Sequence, residues 1–170
     1  MSVLFVTTFN KKLYNITGRT LIQSFISHVS NADLLICYED FDFLEEFNRE
    51  KYQEKFNGTI ITCDISTDTY MTNWLNENKS RIPIIYGGDA LDNEPFFGKT
   101  LQEQYWANYR ASRYFRKVVS LRHALIHYTN TYDYICVVDC DCVIKQKFPM
   151  NALIDIFENK HKMIYFWSEI

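Results

Sequence analysis

TYDYICVVDCDCVI, residues 131–144, is the stretch on which the reading of the chain turns. TYDYICVV is apolar and rich in β-formers, so it is expected to be a buried strand. It delivers Asp139 and Asp141, two carboxylates one residue apart. Strand side chains alternate, so both acids point to the same side while extended geometry lasts. Burying charge without a partner is expensive. A divalent cation relieves the repulsion of such a pair, and carboxylates suit Mg²⁺ or Mn²⁺. Magnesium is typically held by one or two carboxylates plus substrate phosphates. A cation shared with a diphosphate is therefore the economical reading, and two solvated acids in a turn are the alternative.

Upstream, three apolar runs precede three segments of helical character. Val3–Thr7 is followed by TLIQSFISHV, in which Leu21, Phe25 and Val29 recur at helical spacing, with Thr17-Gly18-Arg19 leading into it. Leu34–Tyr38 ends in Glu39-Asp40 and is followed by FDFLEEFNREKYQEKF, which reads as one amphipathic helix. Thr59–Cys63 ends in Asp64, and Thr67 and Asp68 are candidate caps for the helix TYMTNWLNEN. This alternation predicts an α/β fold with right-handed crossovers and a mainly parallel sheet. Strands apolar on both sides predict helices on both faces. Residues 82–99 break the rhythm with Pro83, Gly87, Gly88, Pro95 and Gly98, as either a connector or a lid. A long helix is expected over Leu101–Tyr128, with Tyr114, Val118, Leu121, Leu125 and Tyr128 as its apolar stripe. At about 100° per residue, Arg110, Arg113 and Lys117 fall within about 60° of one another beside it. A short helix, NALIDIFENK, and an apolar run, MIYFWSEI, complete the pattern.

Composition narrows the function classes. A length of 170 residues with 47% hydrophobic content predicts one globular domain over 1–170. A net charge of −3 gives no footprint for nucleic acid. No apolar run reaches the roughly 18 residues of a membrane span. MSVLFVTTFNKK lacks the features of a signal peptide, so a cytoplasmic location is expected. Cys37, Cys63, Cys136, Cys140 and Cys142 read as reduced thiols, because no set of four converging ligands for zinc is evident. The sequons at Asn15, Asn57 and Asn78 read as chance in such a setting. No G-x-G-x-x-G follows the first strand, and VTTFNKKLYNITG lacks the Walker pattern.

The strand ending in Asp139-Cys140-Asp141, after a basic helix and three strand–helix units, resembles the catalytic domain of GT-A-type nucleotide-sugar glycosyltransferases with their D-x-D motif. The small viral or phage members are the nearest in flavour, which would place the protein in a host cytoplasm. The resemblance rests mainly on Arg113–Ile144. It implies a metal-dependent transfer of sugar from a UDP- or GDP-sugar to an acceptor hydroxyl on a glycan or protein. It implies Asp139 and Asp141 as ligands of Mn²⁺ or Mg²⁺, with Asp139 also near the donor. Thr7, Thr8, Phe9 and Asn10 then face the nucleotide, Glu39 and Asp64 accept from its base or ribose, and Arg113 and Lys117 reach phosphate oxygens. Glu169 is a speculative general base, and its plainer reading is a terminal acid. GT-A domains run well past the D-x-D strand and often add a histidine ligand. Here His161 alone follows the motif, in a polar run, so part of the acceptor-binding region is expected to be lacking. Two rivals remain. One is a non-catalytic nucleotide-sugar-binding module. The other is a haloacid-dehalogenase-like phosphatase, whose D-x-D-x-[TV] motif DCDCV matches, with Asp139 as nucleophile; that family opens with its motif, which argues against it.

Overall fold

A computed structural model describes residues 1–39, 42–78 and 100–158, with side chains from 114 onward in the helix that begins at Thr100. Four strands, β1 (Val3–Asn10), β2 (Asp33–Glu39), β3 (Ile60–Asp64) and β4 (Tyr134–Val137), form one sheet in the order β3-β2-β1-β4. Every pairing among the described residues is parallel. The register places Asn10 opposite Glu39, Val6 opposite Val137 and Cys37 opposite Cys63.

Helices cover both faces, as the apolar strands require. On one face Val3, Phe5, Phe9, Leu34, Ile36 and Ile60 pack against α2 (Arg19–His28) and α7 (Met150–Glu158) through Ile22, Phe25, Met150 and Leu153. On the other, Leu4, Val6, Leu35 and Cys37 meet α5 (Thr69–Asn78) and α6 (Thr100–Tyr128) through Met71, Leu75, Val119 and Ala124. Burial of each large side chain in these layers contributes roughly 1.5–3 kcal/mol. The indole of Trp74 stacks on Phe115 at 4.1 Å and joins α5 to α6. The expected cap of α5 forms, since Asp68 Oδ1 accepts from Met71 N at 3.0 Å.

Four local expectations are corrected. Helix follows β1 at once: α1 (Lys11–Leu13) runs through a π turn (Tyr14–Gly18) into α2. Gly18 is part of this helical path, where a Cβ would come within 3.2 Å of the Phe9 ring, so its use is close helix–strand contact. FDFLEEFNREKYQEKF is broken into α3 (Phe43–Glu46) and α4 (Arg49–Gln53). The break lets Phe47 stack between Phe43 and Tyr52, at 4.7 and 5.0 Å, while Asn48 caps α4 by accepting from Lys51 N. β4 stops at Val137 and is only half-buried, with Val137 itself 47% exposed, because it pairs with β1 alone among the described residues. The face of α6 is rotated from the expected stripe: Tyr114, Val118 and Leu125 are exposed, while Val119, Ser120 and Ala124 are buried. MIYFWSEI and residues 82–99 lie outside the described residues. Among the described residues, no helix is long and apolar enough to cross a membrane.

At the N-terminal edge of the sheet, one carboxylate ties three elements. Asp33 accepts from Thr59 N through Oδ1 and from the Tyr132 hydroxyl through Oδ2, both at 2.6 Å. Burial and then the Asp33 bond push the Tyr132 hydroxyl's pKa up. Tyr132→Phe is expected to cost about 1.5 kcal/mol at neutral pH, the lower range for a bond to a charged group. The folded-state pKa is the raised one. The contribution is therefore complete below about pH 10, the unfolded value, and is lost as pH rises through the folded value. Urea midpoints of the two proteins, compared at rising pH, should differ by a constant amount up to that point and converge beyond it.

Candidate active site

In an open parallel sheet, ligands collect beyond the carboxyl ends of the strands, at the point where strand order reverses. Here the chain runs outward from β1 to β2 and β3, then returns to place β4 on the other side of β1. The reversal lies between β1 and β4. A crevice opens there, lined by Val6, Thr7, Thr8, Val137, Val138, Asp139 and Cys140 from the two strand ends and by Lys117 and Ser120 from α6. Its enclosed space is about 10 Å³, room for about one water molecule. A ligand of any greater size would lie against its mouth.

Charge in the crevice is concentrated in one pair. Lys117 Nζ lies 2.6 Å from Asp139 Oδ1, with the two side chains 34% and 48% exposed. Val138 N donates to Val6 O, continuing the ladder one step beyond β4 and fixing where Asp139 emerges. Cys142 N then donates to Asp139 O at 3.0 Å, which closes a turn over 139–142. Extended geometry has ended before Asp141, so the same-side argument for the two acids does not apply. Asp141 is exposed on that turn and does not line the crevice. The chain beyond is pinned to α2, with Ile144 N donating to Ser24 Oγ at 3.1 Å and Phe148 N to His28 O at 2.9 Å. Thr7 is buried on the crevice wall, and its Oγ1 has no hydrogen-bond partner among the described residues.

The remaining expected site residues fall in different places. Phe9 is buried against Tyr14 and Phe43. Asn10 caps α1, its Oδ1 accepting from Leu13 N at 3.0 Å. Glu39 is 1% exposed and ion-paired with Arg116 of α6. Asp64 Oδ1 accepts from Ser66 N and Ser66 Oγ, at 2.9 and 2.6 Å, in a turn after β3. With neighbouring strands about 4.8 Å apart, β3 stands two spacings from β1, so Asp64 is remote from the crevice. Position 113 lies one turn before Lys117 on α6, but its side chain, like all of Glu169, is outside the described residues. The crevice thus gathers Thr7, Thr8, Lys117 and Asp139 from the expected set.

Arg116 and Ser120 were missed by the sequence reading. Ser120 is buried, with Oγ donating to Arg116 O at 2.9 Å. The available signal was their spacing of four, which puts both on one helix face. A wheel built on large apolar residues gives such positions no weight.

Among the described residues, no three His, Cys, Asp or Glu side chains are gathered to hold a metal. Of the two acids only Asp139 lines the crevice, where it is paired with Lys117, so the residues gathered there do not by themselves form a cation site.

No family model matches the chain, and no curated protein matches it in sequence. Among solved structures, the chain is similar to mouse xyloside xylosyltransferase 1 in its apo form, with a TM-score of 0.48 and 15% identity over 94% of this chain and 49% of that one. The chain thus spans about half the length of that protein.

Proposed function

We propose that this chain is a GT-A-like domain that holds the diphosphate of a nucleoside-diphosphate sugar against the mouth of the crevice between β1 and β4 and transfers the sugar to an acceptor hydroxyl. The observation that carries the reading is the Lys117–Asp139 pair across the mouth of that crevice, at the reversal of strand order. Cleaving a sugar–phosphate bond builds negative charge on the departing diphosphate. Lys117 supplies a cation on α6, and fixed positive charge at developing anionic oxygens lowers the barrier. Asp139 holds the ammonium in place, and Asp141, exposed on the turn outside the crevice, would be the protein carboxylate for a Mn²⁺ or Mg²⁺ carried by the diphosphate. When bound, that ion supplies Lewis-acid and electrostatic stabilisation of the leaving group. Thr7 and Thr8 also line the crevice, where the Thr7 hydroxyl retains hydrogen-bonding capacity. Phe9, Asn10 and Glu39 serve the framework that positions these groups.

Thermal-shift titration with UDP- and GDP-sugars, with and without Mn²⁺, tests the proposal. One nucleotide class is expected to stabilise the protein in a metal-dependent way, by mass action. Asp141→Asn is expected to abolish the metal dependence and leave the ligand-free melting temperature unchanged, because Asp141 is exposed. Sugar release or transfer should accompany binding. Metal-dependent binding without turnover would reduce the protein to a nucleotide-sugar-binding module. No shift with any sugar nucleotide would remove the proposal.

A further inference from the structure

Outside the crevice, a group of reactive side chains sits where β2, β3 and α6 meet. Cys37 and Cys63 are register partners on adjacent parallel strands. Neighbouring strands stand about 4.8 Å apart, inside the roughly 4.4–6.8 Å range of Cα separations that a disulfide spans. Their side chains lie on the same face of the sheet, in the core layer shared with α5 and α6. On the outer side, Cys63 Sγ lies 3.7 Å from His123 Nδ1. The His123 ring in turn lies 4.4 Å from that of His127, which is exposed. Cys37 is fully buried, whereas Cys63 is reachable from solvent.

We propose that Cys37 and Cys63 are a redox-active thiol pair, in which Cys63 reacts first with a peroxide and Cys37 resolves the product to a disulfide. The two thiols are not equivalent. The hydrogen bond to Cys63, then burial, push Cys37 up, so it keeps its proton and donates it. The same bond pulls Cys63 down, against burial and the nearby carboxylates of Asp64 and Asp68. Thiolate character and access together select a reactive cysteine. Burial pushes Cys136 up to about 12 and raises Cys140 and Cys142 as well. In the first step the Cys63 sulfur attacks one peroxide oxygen and the O–O bond breaks. The second oxygen leaves with a proton as water, and the sulfur becomes a sulfenic acid. In the second step the Cys37 sulfur attacks the Cys63 sulfur. The S–O bond breaks, hydroxide leaves with the Cys37 proton as water, and the S–S bond forms. Two thiols and one hydrogen peroxide thus give one disulfide and two waters.

The test is to treat the native protein with stoichiometric hydrogen peroxide, block free thiols with iodoacetamide, and map peptides without reduction. The expected product has lost two hydrogens, links the Cys37 and Cys63 peptides, and carries labels on Cys136, Cys140 and Cys142 only. In Cys37→Ser, dimedone should trap a sulfenic acid on Cys63. In Cys63→Ser, Cys37 should stay fully labelled after peroxide. His123→Asn should slow labelling of Cys63 by iodoacetamide and leave the other thiols unaffected. Labelling of all five thiols after peroxide, earlier oxidation at Cys136, Cys140 or Cys142, or a lasting oxygen adduct on Cys63 beside a free Cys37 overturns the proposal. The wild-type map alone decides, whether or not a variant folds.

Discussion

Arg116→Leu is expected to lower stability by about 3–5 kcal/mol, the range for removing one partner of a buried ion pair. Glu39 is 1% exposed and Arg116 17% exposed, so each charge has given up most of its hydration on folding. Leucine leaves the Glu39 carboxylate buried without the guanidinium. The desolvation cost then stands with less of the attraction that offset it. Replacing both residues by leucine is expected to recover most of the loss, because a well-packed apolar pair of similar volume is often neutral or stabilising in place of buried charges. Urea denaturation of wild type, both single variants and the double variant would give a double-mutant cycle. An Arg116→Leu midpoint close to wild type, equivalent to less than about 1 kcal/mol, would show that the pair does not carry this load. The pair also connects fold to site. It pegs α6 to the end of β2, and Lys117, the next residue, is thereby held over Asp139.

Lys117→Met should separate function from stability. An exposed ion pair contributes about 0–1 kcal/mol, so the melting midpoint should barely move. Under the proposed reaction, the ammonium faces charge that develops as the diphosphate leaves. Losing one such preorganised group typically costs about 10²–10³ in kcat. The loss should fall on kcat more than on KM, because the interaction strengthens as charge builds. Lys117→Arg should restore part of the rate, since the charge is kept and only its shape changes. Steady-state kinetics and denaturation on the same preparations would decide. A Lys117→Met protein that turns over like wild type would remove Lys117 from the chemistry. A marked loss of stability would make it a structural residue instead.

Periodicity and residue type made much of the fold legible. Four apolar β-rich runs marked the four strands, and their apolarity on both sides announced a sheet covered on both faces. Asp68 announced the start of α5. Local competition hid other features. The gap between Phe43–Glu46 and Arg49–Gln53 exists because Phe47 gains more from stacking between two rings than from continuing a helix. The face of α6 was misread because Arg116 and Ser120, polar by type, are drawn inward by Glu39 and by the sheet, while Val118 and Leu125 remain outside.

What the sequence by itself determined is the α/β class, the parallel strands and the placing of an acidic pair after the last of them, since these follow from alternation and local propensity. Strand order was decided only in three dimensions. It brought β1 and β4 together and made the crevice, it buried Glu39 against Arg116, and it set Cys37 beside Cys63. Each of these contacts joins residues far apart in the chain, and no pattern of period 2 or 3.6 carries the information for them.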